Sequence, residues 1–270
     1  MAARLTASMS WMFRGKGAEE GYACAKALGL DAVEHSFPYE TSAVDTAALL
    51  DEHGLELSFM IAPCRFFEGE RGYACVPGRE ADFARGIDEA LEYASRVKCR
   101  TLGILAGEIP GESDRERYLD VLARNLQVAA LAAETAGVTI SVEPICSQRI
   151  PRFALNTLEQ AANLLERVGN TNIGLCLDTF HVAMEKGSLI ENLDRYFHQI
   201  NYVQLANTPH RNGPGEGELD LSFFTAHLLN RGFEGYLSCE YAPDNGLESG
   251  TTLAWTEAFI MQGKLRRRPL

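Results

Sequence analysis

The sequence predicts a closed parallel (β/α)8 barrel that forms a single domain over residues 1–270. Short apolar runs typical of strands alternate with helical patterns eight times, and the 270 residues are close to the about 250 that such a barrel needs. No Pro/Ser-rich linker or low-complexity run divides the chain. An open doubly wound sheet is the competing architecture, but the segment Ser8–Phe13 lacks the glycine-rich phosphate turn that usually follows its first strand.

The eight strand candidates are short, apolar and often β-branched or aromatic, as expected for strands buried on both faces. In chain order they are Leu5–Met9, Ala32–His35, Leu55–Ile61, Thr101–Leu105, Val138–Glu143, Ile173–Asp178, Tyr202–Leu205 and Tyr236–Glu240.

The intervening helices are indicated by apolar stripes and by end signals. Gly29 and Gly137 each follow a helical pattern and provide a stop, while Asn156 with Glu159 three residues later resembles a capping box. The predicted helices are Ala18–Leu28, Asp82–Val97, Asp114–Ala136, Asn156–Val168, Leu221–Leu229 and Thr251–Met261.

Composition limits the partners. The formal net charge of −12 argues against nucleic acid and anionic membranes, both of which attract basic surfaces, and the basic run at 264–268 is interpreted as a solvated end. No apolar run reaches membrane-spanning length. Seven cysteines, several within apolar strands, indicate free thiols in a reducing compartment, so we expect the cytoplasm. A homo-oligomer is left open.

Two predicted loops are longer than the connection requires. Residues 62–78 follow the third strand and residues 206–220 follow the seventh. Both would stand over the carboxyl ends of the strands, where barrel active sites lie. Long loops of this kind often form lids or bind ligands.

Four polar side chains stand at the ends of four consecutive predicted strands: Glu143, Asp178, Gln204 and Glu240. Parallel strands deliver their carboxyl ends to one face of the barrel, so these side chains should converge. Three carboxylates would repel one another there unless a cation neutralised them. Oxygen donors suit Mg²⁺ or Mn²⁺, and the sequence therefore predicts a divalent metal held by these four residues.

Glu143 and Glu240 are also the candidate catalytic pair. Carboxylates from the fifth and eighth strands could remove a proton beside a carbonyl and return it elsewhere. His181 lies three residues after Asp178 and could bind substrate, as could His210 and Arg211 in the loop after the seventh strand, where Arg211 would match a carboxylate. The alternatives stay open: a helix-capping acid, a structural histidine and a solvated loop cation.

Several segments resemble one family. SVEP, LDTFH, VQLA followed by an arginine and GELD, and CEY are similar to signature segments of the xylose isomerase-like sugar isomerase/epimerase superfamily, most closely of its hydroxypyruvate isomerase branch. The likeness extends through SMSWMF, AVEHSFPY, GERG, VPGRE and LEYA and so spans nearly the whole chain. It implies the metal set named above, proton transfer between Glu143 and Glu240, substrate contacts from His181 and Arg211, and interconversion of hydroxypyruvate with tartronate semialdehyde.

The chain departs from that branch where the substrate should lie. Family members carry Asn, Asn-Thr, Gly-Asp, His and Asn at the positions of Ser8, Met60–Ile61, Cys64–Arg65, Gly103 and Cys146. These changes alter the expected substrate wall and leave the metal residues intact, and Arg65 adds a candidate anion contact. Alternatives are therefore a 2-oxo-tetronate isomerase, a ketose 3-epimerase acting on neutral sugars, or a non-catalytic metal-binding barrel. The charge of −12 argues against an apurinic-site endonuclease.

Overall fold

A computed structural model describes residues 2–243 and 252–267. Its central feature is a ring of eight parallel strands that closes where the first strand pairs with both the second and the eighth. The strands are β1 (Ala3–Ser8), β2 (Ala32–Glu34), β3 (Glu56–Ile61), β4 (Thr101–Ile104), β5 (Thr139–Val142), β6 (Ile173–Asp178), β7 (Ile200–Leu205) and β8 (Tyr236–Cys239). A two-residue strand, β9 (Leu265–Arg266), adds to the outer edge of β1. The predicted fold class is confirmed.

Helices connect successive strands and cover the outside of the barrel. Among the described residues they are α1 (Ala18–Ala27), α2 (Ala43–His53), α3 (Glu80–Val97), α4 (Arg115–Ala136), α5 (Leu158–Val168), α6 (Thr179–Met184), α7 (Leu189–Tyr196), α8 (Leu221–Asn230) and α9 (Glu257–Met261). Single 3-10 turns lie at Pro38–Glu40, Phe66–Glu68, Glu112–Asp114, Phe197–Gln199 and Ala254–Thr256. None of the described helices has the length and apolarity to cross a membrane.

Two helix predictions need correction. Thr157 caps α5, not Asn156: its hydroxyl accepts from Gln160 N–H at 3.1 Å, and the Gln160 side chain returns to accept from Asn156 N–H at 2.8 Å. The cap therefore lies one residue further along, and the Gln160 side chain reaches the amide before the capping residue and not that of Thr157 itself. The predicted helix Thr251–Met261 is shorter, since α9 begins at Glu257 after a 3-10 turn; Thr251 itself is outside the described residues.

The barrel is filled by side chains and leaves its polar residues at one end. Apolar strand residues form one continuous core with the inner faces of the helices. All seven cysteines are free thiols, five of them buried, as predicted. The strand register sets Asp178 beside Gln204 and Gln204 beside Ser238, so the predicted site residues share the carboxyl end of the ring. That this barrel is the chain's single domain stays a prediction.

Candidate active site

The fold brings the four strand-end residues together. Glu143 directly follows β5, Asp178 ends β6, Gln204 lies near the end of β7 and Glu240 follows β8. Asp178 and Gln204 are each 2% exposed and Glu240 is 7% exposed. Carboxylates this deeply buried must be neutralised by a cation, by protons or by hydrogen bonds.

The start of α6 fixes two of the site's side chains. Asp178 caps this helix, because its Oδ1 accepts from Phe180 N–H at 2.7 Å and from His181 N–H at 3.4 Å. His181 consequently faces the same cluster, with Nε2 3.5 Å from Glu143 Oε1 and 3.6 Å from Asp178 Oδ2. One candidate ligand atom from each of Glu143, Asp178 and His181 lies within 4.8 Å of the others.

His181 contacts the turn after β5 through its Nδ1. Cys146 N–H donates to Nδ1 at 3.4 Å, and the Cys146 Sγ lies 3.2 Å from the same nitrogen. Burial lowers the pKa of His181 to about 4, so the ring is neutral near pH 7. A neutral ring whose Nδ1 accepts must carry its proton on Nε2. In this tautomer His181 presents a donor to the cluster, whereas with the proton on Nδ1, beside Cys146 Sγ, its Nε2 would be an acceptor and a candidate metal ligand.

A buried arginine bridges the carboxylates. Arg211 Nη2 donates to Asp178 Oδ2 at 2.6 Å and to Glu240 Oε2 at 2.5 Å, and its Nε donates to the Glu240 carbonyl at 3.2 Å. Its Nη1 lies 3.4 Å from His181 Nε2, and because a guanidinium only donates, a hydrogen bond there requires an Nε2 without a proton. Arg211 has a φ of +61°, a conformation that non-glycine residues adopt at a cost and that is frequent at functional sites.

The three carboxylates differ in their affinity for protons. Burial raises the pKa of Glu143 to about 8, and the charge of Asp178 adds to the effect. Burial also raises the pKa of Glu240 well above its usual range, despite Arg211. Burial acts the same way on Asp178, but Arg211, His181 and the Phe180 N–H outweigh it and lower the pKa of that carboxyl. Asp178 is therefore the anion of the cluster, while Glu143 and Glu240 hold a proton more readily than ordinary glutamates do.

Gln204 connects the cluster to a fourth acid, Glu34, that the strand-end argument missed. Gln204 Nε2 donates to Glu34 Oε1 at 3.1 Å, and its Oε1 accepts from Cys176 Sγ at 2.9 Å. Glu34 ends β2 and is fully buried, and this burial raises its pKa. The Ser8 hydroxyl has no hydrogen-bond partner among the described residues.

This donor set fits a divalent metal. Asp178 and Glu240 are already bridged by a cation, the Arg211 guanidinium, and the surrounding oxygens are of the kind that Mg²⁺ and Mn²⁺ prefer. The Gln204 oxygen faces Cys176, so this residue would have to turn its amide to present an oxygen to the ion. The identity of the metal does not follow from the geometry.

The cluster opens into a cavity of about 470 Å³. Its floor includes Glu143, His181, Arg211 and Glu240. The rest of its wall is mostly aromatic, aliphatic and basic, with two serine hydroxyls, and consists of Ser10, Trp11, Arg14, Ser36, Phe37, Ile61, Phe66, Phe67, Arg71, Leu105, Ile145, Arg149 and Ile150. A cavity of this size accepts a small molecule.

Comparisons with known proteins agree with the geometry. The profile of the family described as xylose isomerase-like TIM barrel matches residues 22–259. The chain belongs to this family. A 2-oxo-tetronate isomerase from Cupriavidus necator is 35% identical over 95% of this chain and 98% of its own length. Hydroxypyruvate isomerase from Escherichia coli is 30% identical over 95% of this chain and 99% of its own.

Solved structures show the same fold. A Brucella melitensis protein titled AP endonuclease, family 2 superposes with a TM-score of 0.90 at 32% identity, covering 95% of this chain and 99% of that one. A D-allulose 3-epimerase from Methylomonas in complex with D-allulose superposes with a TM-score of 0.76 at 20% identity, covering 97% of this chain and 94% of that one. The predicted membership of the hydroxypyruvate isomerase branch and the predicted enzyme class, an isomerase, are confirmed.

In this xylose isomerase-like barrel the predicted site residues separate into two groups. Glu143, Asp178, His181, Arg211 and Glu240 meet at one cluster, with Gln204 beside it. His210 is exposed and does not line the cavity described above, so its contact with substrate stays a prediction. Arg65 does not line it either: its side chain is 72% exposed and lies 3.8 Å from Glu68.

Proposed function

We propose that this chain is a metal-assisted isomerase of a small hydroxy-keto acid and that it interconverts hydroxypyruvate and tartronate semialdehyde. The observation that carries the proposal is the pair Glu143 and Glu240. They come from strands three positions apart in the ring, both line one cavity, and both have a raised pKa. Two proton-exchanging carboxyls that reach one substrate from different sides suit a 1,2-proton shift.

The reaction moves one hydrogen between adjacent carbons. One glutamate, in its carboxylate form, removes a proton from C3 of hydroxypyruvate, and the electron pair shifts to the C2 carbonyl to give an enediolate. The other glutamate, as the acid, returns a proton to C2, while the O3 proton passes to O2. His181 Nε2–H donates to the C2 oxygen where negative charge develops.

The metal would be held by Glu143, Asp178, Gln204 and Glu240. When bound, it supplies a charge that stabilises the two enediolate oxygens. Asp178 suits this role because it is the carboxyl with the lowered pKa. Arg211 now bridges Asp178 and Glu240, so we propose that it moves toward the substrate oxygens once the metal takes over those carboxylates. His210 is the third proposed substrate contact.

An acid is favoured over a neutral sugar as substrate. Arg14, Arg71 and Arg149 line the cavity of a protein whose net charge is −12, so cations are concentrated at the site. The relatives named 2-oxo-tetronate isomerase make a four-carbon hydroxy-keto acid the second candidate substrate. A ketose 3-epimerase or a non-catalytic metal-binding barrel would not require this basic wall.

The decisive experiment is solvent deuterium exchange. Metal-stripped protein, alone or with Mn²⁺ or Mg²⁺, is incubated with hydroxypyruvate in D₂O and followed by proton NMR. We expect metal-dependent loss of the C3 hydrogen signal together with appearance of the aldehyde. Deuterium exchange with 2-oxo-tetronates but not with hydroxypyruvate would identify the four-carbon hydroxy-keto acid as the substrate. Metal binding with no exchange on any keto acid or ketose would favour the non-catalytic barrel.

A further inference from the structure

Arg149, an arginine of the cavity, lies over two aromatic rings while its guanidinium binds no acid among the described residues. Arg211 is held by Asp178 and Glu240, and Arg71 Nη1 donates to the Phe66 carbonyl at 3.2 Å. The guanidinium of Arg149 makes no hydrogen bond or ion pair with any residue in the ranges the structure describes. Its carbon lies 5.9 Å from the centroid of the Trp11 ring and 5.6 Å from that of Phe180.

The same two rings hold Arg211. Its guanidinium carbon lies 4.7 Å from the Trp11 centroid and 4.9 Å from the Phe180 centroid. Arg211 is 4% exposed at the floor of the cavity, whereas Arg149 is exposed at its entrance. Trp11 and Phe180 thus each contact two guanidinium groups. That of Arg211 is paired with acids inside the cavity, and that of Arg149 lies unpaired at the entrance.

The main chain places Arg149 relative to His181. Arg149 N–H and Ile150 N–H both donate to the Cys146 carbonyl, at 3.0 and 3.1 Å, while Cys146 N–H donates to His181 Nδ1. One tight turn after β5 therefore positions both the arginine and the histidine donor. The charge of Arg149 contributes to the lowered pKa of His181 after burial and Arg211, which is consistent with their proximity.

We propose that Arg149 binds the carboxylate of the substrate and thereby selects short hydroxy-keto acids over neutral ketoses. This inference rests on the proposed function. In hydroxypyruvate the carboxylate is bonded directly to the carbonyl carbon, so a substrate whose carbonyl oxygen accepts from His181 extends its carboxylate toward the entrance and Arg149. A guanidinium fork matches a carboxylate with two parallel hydrogen bonds, and stacking on Trp11 and Phe180 limits the freedom that binding must remove.

The test compares two substrates that differ only at the recognised group. Dihydroxyacetone has the carbon skeleton of hydroxypyruvate with CH₂OH in place of the carboxylate. We expect Arg149→Ala to raise KM for hydroxypyruvate about tenfold to hundredfold and to leave exchange of dihydroxyacetone unchanged, with Arg149→Lys intermediate. Arg152→Ala is the matched control, because Arg152 is exposed in the same loop, lies 3.5 Å from Glu108 and does not line the cavity.

Binding can be followed without turnover. Trp11 and Trp255 are the two tryptophans of the chain, and Trp255 lies outside the cavity, where its Nε1 donates to Tyr241. In a Trp255→Phe background, fluorescence of Trp11 should report D-glycerate binding, with glycerol as the neutral counterpart. We expect Arg149→Ala to raise Kd for D-glycerate about tenfold or more, and Arg152→Ala to leave it unchanged.

The outcomes separate this inference from the function on which it rests. If the wild-type protein exchanges hydroxypyruvate and Arg149→Ala changes neither its KM nor Kd for D-glycerate, Arg149 is not the carboxylate site and the isomerase stands. Equal effects on hydroxypyruvate and dihydroxyacetone would also overturn the inference. If the wild-type protein exchanges neither hydroxypyruvate nor dihydroxyacetone, hydroxypyruvate is not its substrate, and the D-glycerate titration alone decides whether Arg149 binds carboxylates.

Discussion

The main-chain amide of Cys146 donates a hydrogen bond to Nδ1 of His181 at 3.4 Å. The donor is backbone, so the bond depends on the turn after β5 and not on which side chain occupies position 146. This bond is the basis for the proposed tautomer, in which the imidazole proton lies on Nε2, the nitrogen that faces Glu143 and Asp178. The departure from the family at this position, Cys146 for Asn, therefore leaves the orientation of the histidine intact.

His181→Gln is expected to lower kcat for hydroxypyruvate by about 10²–10³, the usual effect of removing one donor to a developing oxyanion. Metal affinity should change little, because Nε2 is a donor in this site. Both quantities can be measured by NMR-detected exchange and by calorimetric titration with Mn²⁺.

Cys146→Ala provides the control for the histidine. It removes the Sγ contact of 3.2 Å but keeps the main-chain donor, so kcat should stay within about threefold of wild type. If His181→Gln abolished Mn²⁺ binding while Cys146→Ala kept it, His181 would be a metal ligand and the proposed tautomer would be wrong.

Glu143→Gln and Glu240→Gln are each expected to lower net isomerisation by at least about 10²–10⁴, the usual contribution of a positioned acid or base. The variant that keeps the base acting on C3 should still exchange the C3 hydrogen of hydroxypyruvate with D₂O, and the other should not. Proton NMR resolves exchange from conversion in one experiment. Unimpaired turnover in either variant would rule out the assigned pair.

The strands were predictable because burial on both faces leaves a continuous apolar run. Each predicted strand lies within two residues of the observed one at either end. Helices α2, α6 and α7 were not predicted. Of these, α2 buries only Thr46 and Leu50 and so shows little apolar stripe, although its Ser42 cap and its Gly54 stop were readable from the sequence.

The floor of the site could be predicted from strand ends, whereas its wall could not. Loop conformation decides which basic residues line the cavity, and no periodic sequence pattern encodes loop conformation. Arg149 lines the cavity, whereas Arg65 does not. The departure at Gly103 has a packing cause that becomes visible only in three dimensions: a Cβ there would lie 2.4 Å from Phe59 Cζ, so the phenyl ring fills the space that a larger residue would need.

Arg211→Ala should destabilise the metal-free protein by about 3 kcal/mol, because it leaves Asp178 and Glu240 buried without their cation. Mn²⁺ should then raise the free energy of unfolding more in the variant than in wild type, since in wild type the ion has to compete with the guanidinium. Denaturant unfolding with EDTA or with Mn²⁺ measures both effects.

Arg231→Ala serves as the comparison for Arg211. Arg231 pairs with Asp194 at 2.8 Å on the surface, where such a pair contributes about 0–1 kcal/mol, and we expect Mn²⁺ to stabilise this variant as it does wild type. An identical Mn²⁺ effect in Arg211→Ala would show that the arginine and the metal do not share a site.

The stability of the protein should fall in mild acid partly because of His35. Its Nδ1 lies 3.0 Å from the Tyr22 hydroxyl, and burial lowers its pKa to about 4 from an ordinary value of 6.5. His35 therefore becomes protonated near pH 6.5 in the unfolded chain, but only near pH 4 in the folded protein. His35 therefore does not reduce the free energy of unfolding above pH 6.5. Between pH 6.5 and pH 4 it lowers that free energy by about 1–3 kcal/mol, because the unfolded chain binds the proton first.

His35→Gln removes the titrating group, so its free energy of unfolding should fall less steeply than that of wild type between pH 6.5 and pH 4. Urea unfolding at half-unit pH intervals in EDTA measures the slope, and the same substitution at the exposed His198 controls for loss of a histidine. Removing the ring also removes packing contacts and so lowers the stability at every pH. The test therefore compares how steeply the free energy of unfolding changes with pH, not its absolute value. Parallel pH profiles for wild type and His35→Gln would mean that His35 is protonated equally in the folded and unfolded states, against the effect of its burial.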